Sequence, residues 1–162
     1  MKLCCILKKY KFLIVLFEMK HIKKKNKAIQ ICLESKETLT PNRITILELL
    51  IDSETPISAY DLSTKLKNKG KNLNISTIYR VIDFWIKLKI VHKISYLNKF
   101  ILCSNPEEIH THITNICTNC TKVIETCNKN MGLNLDKSSK NLGILLRPNI
   151  NVEIPVLCSN CQ

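Results

Sequence analysis

"NISTIYRVIDFWIKLKIVHKISYLNKFILC", residues 74–103, changes its period partway through. As far as residue 89 the apolar positions recur at helical spacing. Ile78, Ile82 and Trp85, with the stem of Lys89, line one side, while Thr77, Arg80 and Asp83 lie on another and Tyr79 flanks them. Ser76 is the expected N-cap. Beyond that point "IVHKISY" and "KFILC" are short β-rich runs joined by "LN", which predicts a hairpin.

Toward the N-terminus, a helix is expected from about Ala59 to Lys69, stopped by Gly70. Before it, "LTPNR" (39–43) opens another, with Thr40 as cap and Pro41 at the first helical position. Ile44, Leu47 and Ile51 give that helix one buried stripe. Residues 22–35 predict a basic, weakly amphipathic helix. Three helices followed by a hairpin make a winged helix-turn-helix, whose last helix enters the major groove of DNA.

Charge agrees with that fold. Residues 1–100 carry 20 Lys+Arg against 8 Asp+Glu, whereas residues 101–162 carry 5 of each. The formal net charge of +12 is therefore confined to the segment that reads as a DNA-binding fold, an electrostatic footprint for nucleic acid. A merely solvated basic surface is the ordinary alternative. Lys65, Lys67, Lys69 and Lys71 would meet phosphates or solvate the surface. Tyr79 and Arg80 can reach phosphate or bases, Arg being the usual bidentate reader of guanine; alternatively Tyr79 packs against the wing.

The start of the chain holds a six-residue apolar run, Phe12 to Phe17, too short to span a bilayer and followed by no small-x-small cleavage site. Residues 1–18 are expected to be an N-terminal extension without a folding role, with Met19 able to serve as a start. A cytoplasmic setting makes the nine cysteines read as metal ligands rather than disulfides.

After Cys103 the character changes. A polar linker, 104–112, leads to "ITNICTNCTKVIETC", which reads as two strands with a Cys pair at their turn. Residues 129–146, with Gly132 and Gly143 inside, predict at most a poor helix. "NVEIPVLC" reads as a last strand, where Pro155 suits a sheet edge. Cys117, Cys120, Cys158 and Cys161 form two Cys-x-x-Cys pairs, a sulfur cage that suits a structural zinc with no open position. The 37 residues between Cys120 and Cys158 mean that the ion would staple a hairpin to the end of a small domain. A thiol-exchange enzyme would need its Cys-x-x-Cys at a helix N-terminus after a strand, and neither pair has that setting.

His92, Cys103, His110 and Glu125 are also metal-competent. They fall in turn on the wing, its last strand, the linker and the C-terminal segment. Ligands drawn from both segments would fix the angle between them. Taken singly, each has an ordinary reading: a lone His on a strand faces solvent or sits satisfied in a core, and Glu125 faces water. Spacing leaves both open.

"LTPNRITILELL", "ISAYDLSTKLK", "STIYRVIDFWIKLKIVHKI", "FILC" and the two Cys pairs together resemble the ferric uptake regulator family, over roughly residues 20–162, and most closely its zinc uptake regulator branch. The resemblance implies an α+β chain in which residues 19–103 are a winged-helix DNA-binding domain and 113–162 a small α/β dimerisation and metal-binding domain. It implies a homodimeric repressor of zinc uptake genes on double-stranded operator DNA, not an enzyme, with zinc in both a structural and a regulatory role. By motif position, Cys117, Cys120, Cys158 and Cys161 match the structural ligands and His92, Cys103, His110 and Glu125 the regulatory ones. Tyr79 and Arg80, with Thr77 and Arg43, are the expected DNA contacts. An iron- or peroxide-responsive regulator of the same family is the alternative. The iron branch's His-rich run is reduced here to "HTH", so His112 could replace His110, and Cys127 could compete for metal. The peroxide branch uses aspartate, and no Asp occurs between Asp83 and Asp136.

Overall fold

The structure is a computed structural model that describes residues 2–53, 55–104, 106, 112–127, 135–145 and 151–162. Its first helix, α1 (Lys2–Glu34), is one continuous segment of which the expected 22–35 helix is the last part. Side chains are described from Glu18 onward. Ala28 and Cys32 carry its buried stripe into the core, and Lys25 Nζ donates to Glu48 Oε1 at 2.5 Å to hold α1 against the next helix. Among the described residues no helix is long and apolar enough to cross a membrane.

Helix α2 (Pro41–Ile51) starts as its sequence dictates. The Thr40 hydroxyl accepts the Arg43 N–H at 3.3 Å, and proline sits where its missing N–H costs nothing. Helix α3 (Ala59–Asn68) opens with a capping box. Ser58 accepts the Asp61 N–H at 3.1 Å while the Asp61 carboxylate accepts the Ser58 N–H at 3.1 Å. Those bonds, the hydroxyl of Ser58 first, hold the Asp61 carboxyl below the usual carboxylate range. Gly70 then takes a φ of 72°, the left-handed stop that a side chain would resist.

Helix α4 (Ile75–Lys87) begins two residues earlier than expected. Asn74, not Ser76, is its N-cap, and no side chain closes the cap. Packing sets the start instead, because Ile75 is drawn onto the core. Ile78, Ile82 and Trp85 are fully buried, each contributing about 1.5–3 kcal/mol of apolar burial. The Trp85 indole Nε1–H donates to the Arg43 carbonyl at 3.1 Å, tying α4 to the first turn of α2. Lys89 does not extend the apolar side: it lies past the helix with φ 60°, fully outside the stripe.

The wing is β1 (Val91–Ile94) paired antiparallel with β2 (Lys99–Leu102), joined by the turn 95–98, where Asn98 is left-handed at φ 49°. Ile57 adds a bridge to Phe100 through backbone bonds of 2.9 and 2.8 Å. Among the described residues, the C-terminal segment forms a three-stranded sheet of order β4-β3-β5. Strand β3 (His112–Cys117) pairs antiparallel with β4 (Val123–Cys127) and parallel with β5 (Asn151–Val156). Pro155 thus lies on an edge strand of this sheet. A short helix, α5 (Leu135–Asn141), ends before Gly143, which turns at φ 69° rather than sitting inside a helix; Gly132 lies outside the described residues.

Candidate metal centres and DNA-reading helix

Parallel pairing brings the two Cys pairs together. Cys117 is the last residue of β3 and lies opposite Val156, so the turn after β3 and the chain end after β5 meet. The Thr118 N–H donates to the Val156 carbonyl and the Thr121 N–H to that of Cys117, both at 2.9 Å. One sulfur from each of Cys117, Cys120, Cys158 and Cys161 falls within 4.8 Å of every other. Cys120 and Cys158 Sγ are 3.7 Å apart, close to the ~3.8 Å edge of a tetrahedron with zinc–sulfur bonds of ~2.3 Å. The donor set fits zinc. Backbone N–H groups, that of Cys120 first and of Cys158 next, lower the Cys117 thiol to about 6 against the opposing effect of burial. Hydrogen bonding to the Cys158 and Cys120 sulfurs, with burial added, pushes Cys161 up to about 12. Without metal, thiolate character is therefore favoured on Cys117 and the proton on Cys161.

The second group straddles the two sheets. His92 pairs with Ile101 on the wing, and the Cys103 N–H donates to the Ile90 carbonyl at 2.8 Å, which extends the hairpin so that both side chains share one face. Glu125 faces them from β4. His92, Cys103 and Glu125 offer ligand atoms within 4.8 Å of one another, with His92 Nε2 3.8 Å from Glu125 Oε1. The other Glu125 oxygen accepts the Ser104 N–H at 3.1 Å and its hydroxyl at 2.5 Å. The His92 and Glu125 side chains are both about nine-tenths buried, at 12% and 10% exposed. A nitrogen, a sulfur and an oxygen converging in a nearly dry crevice are a mixed set that suits zinc. His110 lies outside the described residues, as do the side chains of His112 and Cys127.

On α4, Arg80 is exposed. Tyr79 is half-buried, its ring set edge-on to Phe100 of the wing at 6.3 Å, so the packing alternative is realised. Thr77 sits in the first turn, where its N–H donates to the Asn74 carbonyl at 3.0 Å. Arg43 points inward. Its guanidinium lies 3.4 Å above the Phe84 ring and donates to the Thr38 carbonyl, which occupies the group in holding α2 on α4. Of the neighbouring lysines, Lys71 donates to the Thr45 hydroxyl at 2.7 Å and Lys69 lies 3.9 Å from Asp52, while Lys65 and Lys67 are exposed in the last turn of α3. Sequence reasoning missed Ser104 and Glu153, whose contacts cross from one domain to the other. The only local signal was the alternation that puts Asn151 and Glu153 on one face of β5.

A winged helix carried on a small sheet domain, with a sulfur cage in that domain and mixed ligands at the joint, defines a metal-dependent DNA-binding regulator. The chain belongs to the ferric uptake regulator family, whose model matches residues 34–147. It is 32% identical over 135 residues to the zinc uptake regulation protein of Escherichia coli (strain K12), covering 83% of this chain and 78% of that protein. A solved structure of a zinc uptake regulator complexed with zinc and DNA superposes with a TM-score of 0.74 at 30% identity, over 88% of this chain and 95% of that one. The peroxide operon regulator of Bacillus subtilis (strain 168) is 26% identical over 98 residues, 60% of this chain and 66% of that protein. Membership makes this chain a regulator rather than an enzyme.

Proposed function

We propose that this chain is a cytoplasmic, homodimeric repressor that binds operator DNA when zinc is plentiful and so controls genes for zinc uptake. The observation that carries the reading is the convergence of His92 and Cys103 from the wing with Glu125 from the sheet domain. Residues 19–103 read DNA, 104–112 link, and 113–162 dimerise and hold metal. Cys117, Cys120, Cys158 and Cys161 would hold a structural zinc, and His92, Cys103 and Glu125, with His110 from the linker, a regulatory one. A bound zinc supplies a divalent Lewis acid that favours a deprotonated Cys103 and a neutral imidazole.

The chain's own residues do the rest. With His92 and Cys103 committed to the same ion as Glu125, the wing and the sheet cannot part without exposing a thiolate and a carboxylate. The paired α4 helices of a dimer are then held at one spacing, which must match half-sites about one helical turn or a multiple apart. A coupling of roughly 1–3 kcal/mol gives about 5–150-fold in DNA affinity. Arg80 would reach bases or phosphate from α4, with Tyr79 and Thr77 beside it and Arg43 setting the helix angle from below. Ile124, Leu142, Ile144, Leu145 and Leu157 leave apolar surface exposed in the C-terminal domain, and a second copy would cover it.

The test is a gel shift on the upstream region of a zinc transporter gene, titrated with zinc, iron and manganese. Zinc should raise the affinity by the factor above at the lowest free concentration; a stronger response to iron or manganese would transfer the chain to the alternative reading. Cys103→Ser should keep the melting temperature and lose the zinc response, while Cys117→Ser should lower the melting temperature itself. Matching defects in both variants would end the two-site assignment.

A further inference from the structure

The metal ligands are not the only groups that join the wing to the sheet domain. At the far end of β1, the backbone N–H groups of Ser95 and Tyr96 both donate to the Glu153 carboxylate, one to each oxygen, at 2.6 and 2.9 Å. Two residues earlier on the same face of β5, the Asn151 side-chain amide donates to the Lys93 carbonyl at 3.2 Å. Asn151 is itself oriented by the Thr114 hydroxyl, which donates to its Oδ1 at 2.9 Å.

Register makes this a designed-looking row. Thr114 on β3 lies opposite Glu125 on β4 and opposite Glu153 on β5. The three side chains therefore share one face of the sheet, with Glu125 and Glu153 on strands about 10 Å apart, two strand spacings. One carboxylate meets the wing at its base, beside His92, Cys103 and Ser104. The other meets it at its tip. A rigid hairpin held at both ends cannot swing about either.

We infer that Glu153 is a positioning residue for the mixed-ligand site: its two bonds to the wing turn hold His92 and Cys103 in the posture in which Glu125 can share an ion with them. The inference rests on the proposed role of that site. Without the latch the wing samples other orientations, and the apparent zinc affinity falls by the fraction of molecules still correctly posed. The effect is on the metal, not on the DNA-reading surface, because nothing in Glu153's contacts touches α4.

The experiment is a chelator-competition zinc titration of the full-length protein, with operator binding measured at limiting and at saturating zinc. Glu153→Ala removes the carboxylate. Tyr96→Pro deletes one of the two donors at the second position of a turn closed by the Asn98 N–H and the Ser95 carbonyl, a position that accepts proline. Both should weaken the second zinc by about tenfold, within the ordinary range of site-to-site coupling. Cage zinc and melting temperature should stay at the parent's values, and operator affinity should recover when zinc saturates. Glu153→Gln, which keeps one acceptor, should fall between parent and alanine variant. Unchanged zinc affinity in both variants would overturn the inference, as would operator binding that stays depressed at saturating zinc or loss of the cage ion. A parent protein that takes up only the cage zinc would instead defeat the reading of the mixed site.

Discussion

Cys117 and Cys161 share one cage, yet the fold treats their protons in opposite ways. Cys117 sits where the backbone turns back on itself, and the N–H groups of Cys120 and Cys158 both favour its thiolate, which brings it from 9.0 to about 6. Cys161, near the chain end, is hydrogen-bonded to its neighbours' sulfurs and is pushed from 9.0 to about 12. For metal-free protein the sign follows. A lowered folded value means that Cys117 stabilises the fold fully above pH 9 and loses that contribution as pH falls through about 6. Cys161 acts oppositely, its contribution being present below pH 9 and lost only as pH rises toward 12. Between pH 6 and 9 only the Cys117 effect changes. Metal-free protein should therefore gain stability across that window, and Cys117→Ser should flatten the gain. Denaturant midpoints at pH 6 and pH 8.5 check this; equal pH dependence in parent and variant would contradict it.

Helix α4 shows how two requirements occupy one element without conflict. The stripe of Ile78, Ile82 and Trp85 is buried, and Arg80 stands off it in solvent. Ile82→Ala should cost about 2–5 kcal/mol of stability, because a fully buried side chain leaves a cavity behind. Arg80→Ala should leave thermal stability within about 0.5 kcal/mol of the parent while weakening operator binding by about 1–3 kcal/mol. Thermal melts and gel shifts on the two variants separate the roles, and a parent-like operator affinity for Arg80→Ala would remove that residue from the DNA surface. The helical period made this stripe legible in the sequence, and Thr40, Pro41 and Gly70 marked helix ends because each has a local physical reason to be there. Ser76 misled because α4's start is decided by Ile75 packing on the core, a tertiary effect with no local mark. Arg43 likewise has a contact with no local mark: the Phe84 ring, 41 residues on, lies beneath its guanidinium. The cage and the trio of His92, Cys103 and Glu125 were readable as residue types, but the trio meets only because the wing packs against β4, and the two Cys pairs meet only because β5 runs parallel to β3. Ser104 and Glu153 carry no motif, and only the fold brings them to the wing.

At the scale of the whole molecule, the two metal groups differ in what they tie together, and that fixes the order in which they should empty. The four cysteines of the cage all lie in the C-terminal domain, at the meeting point of β3 and β5, so emptying the cage unties that domain and leaves the joint with the wing untouched. The mixed group draws on both domains, and wing and sheet can separate while each keeps its own core. A mild chelator should therefore remove the mixed-site ion first. Operator affinity should fall by about 5–150-fold while the melting temperature of the C-terminal domain and the dimer both persist. Harsher removal, from the cage, should lower that melting temperature and release monomers, because the small sheet depends on its staple. Mass spectrometry under native conditions, run alongside gel shifts on the same samples, follows both steps. Loss of cage zinc before loss of DNA binding would mean that the joint, not the cage, holds its ion more tightly, and would overturn the predicted order.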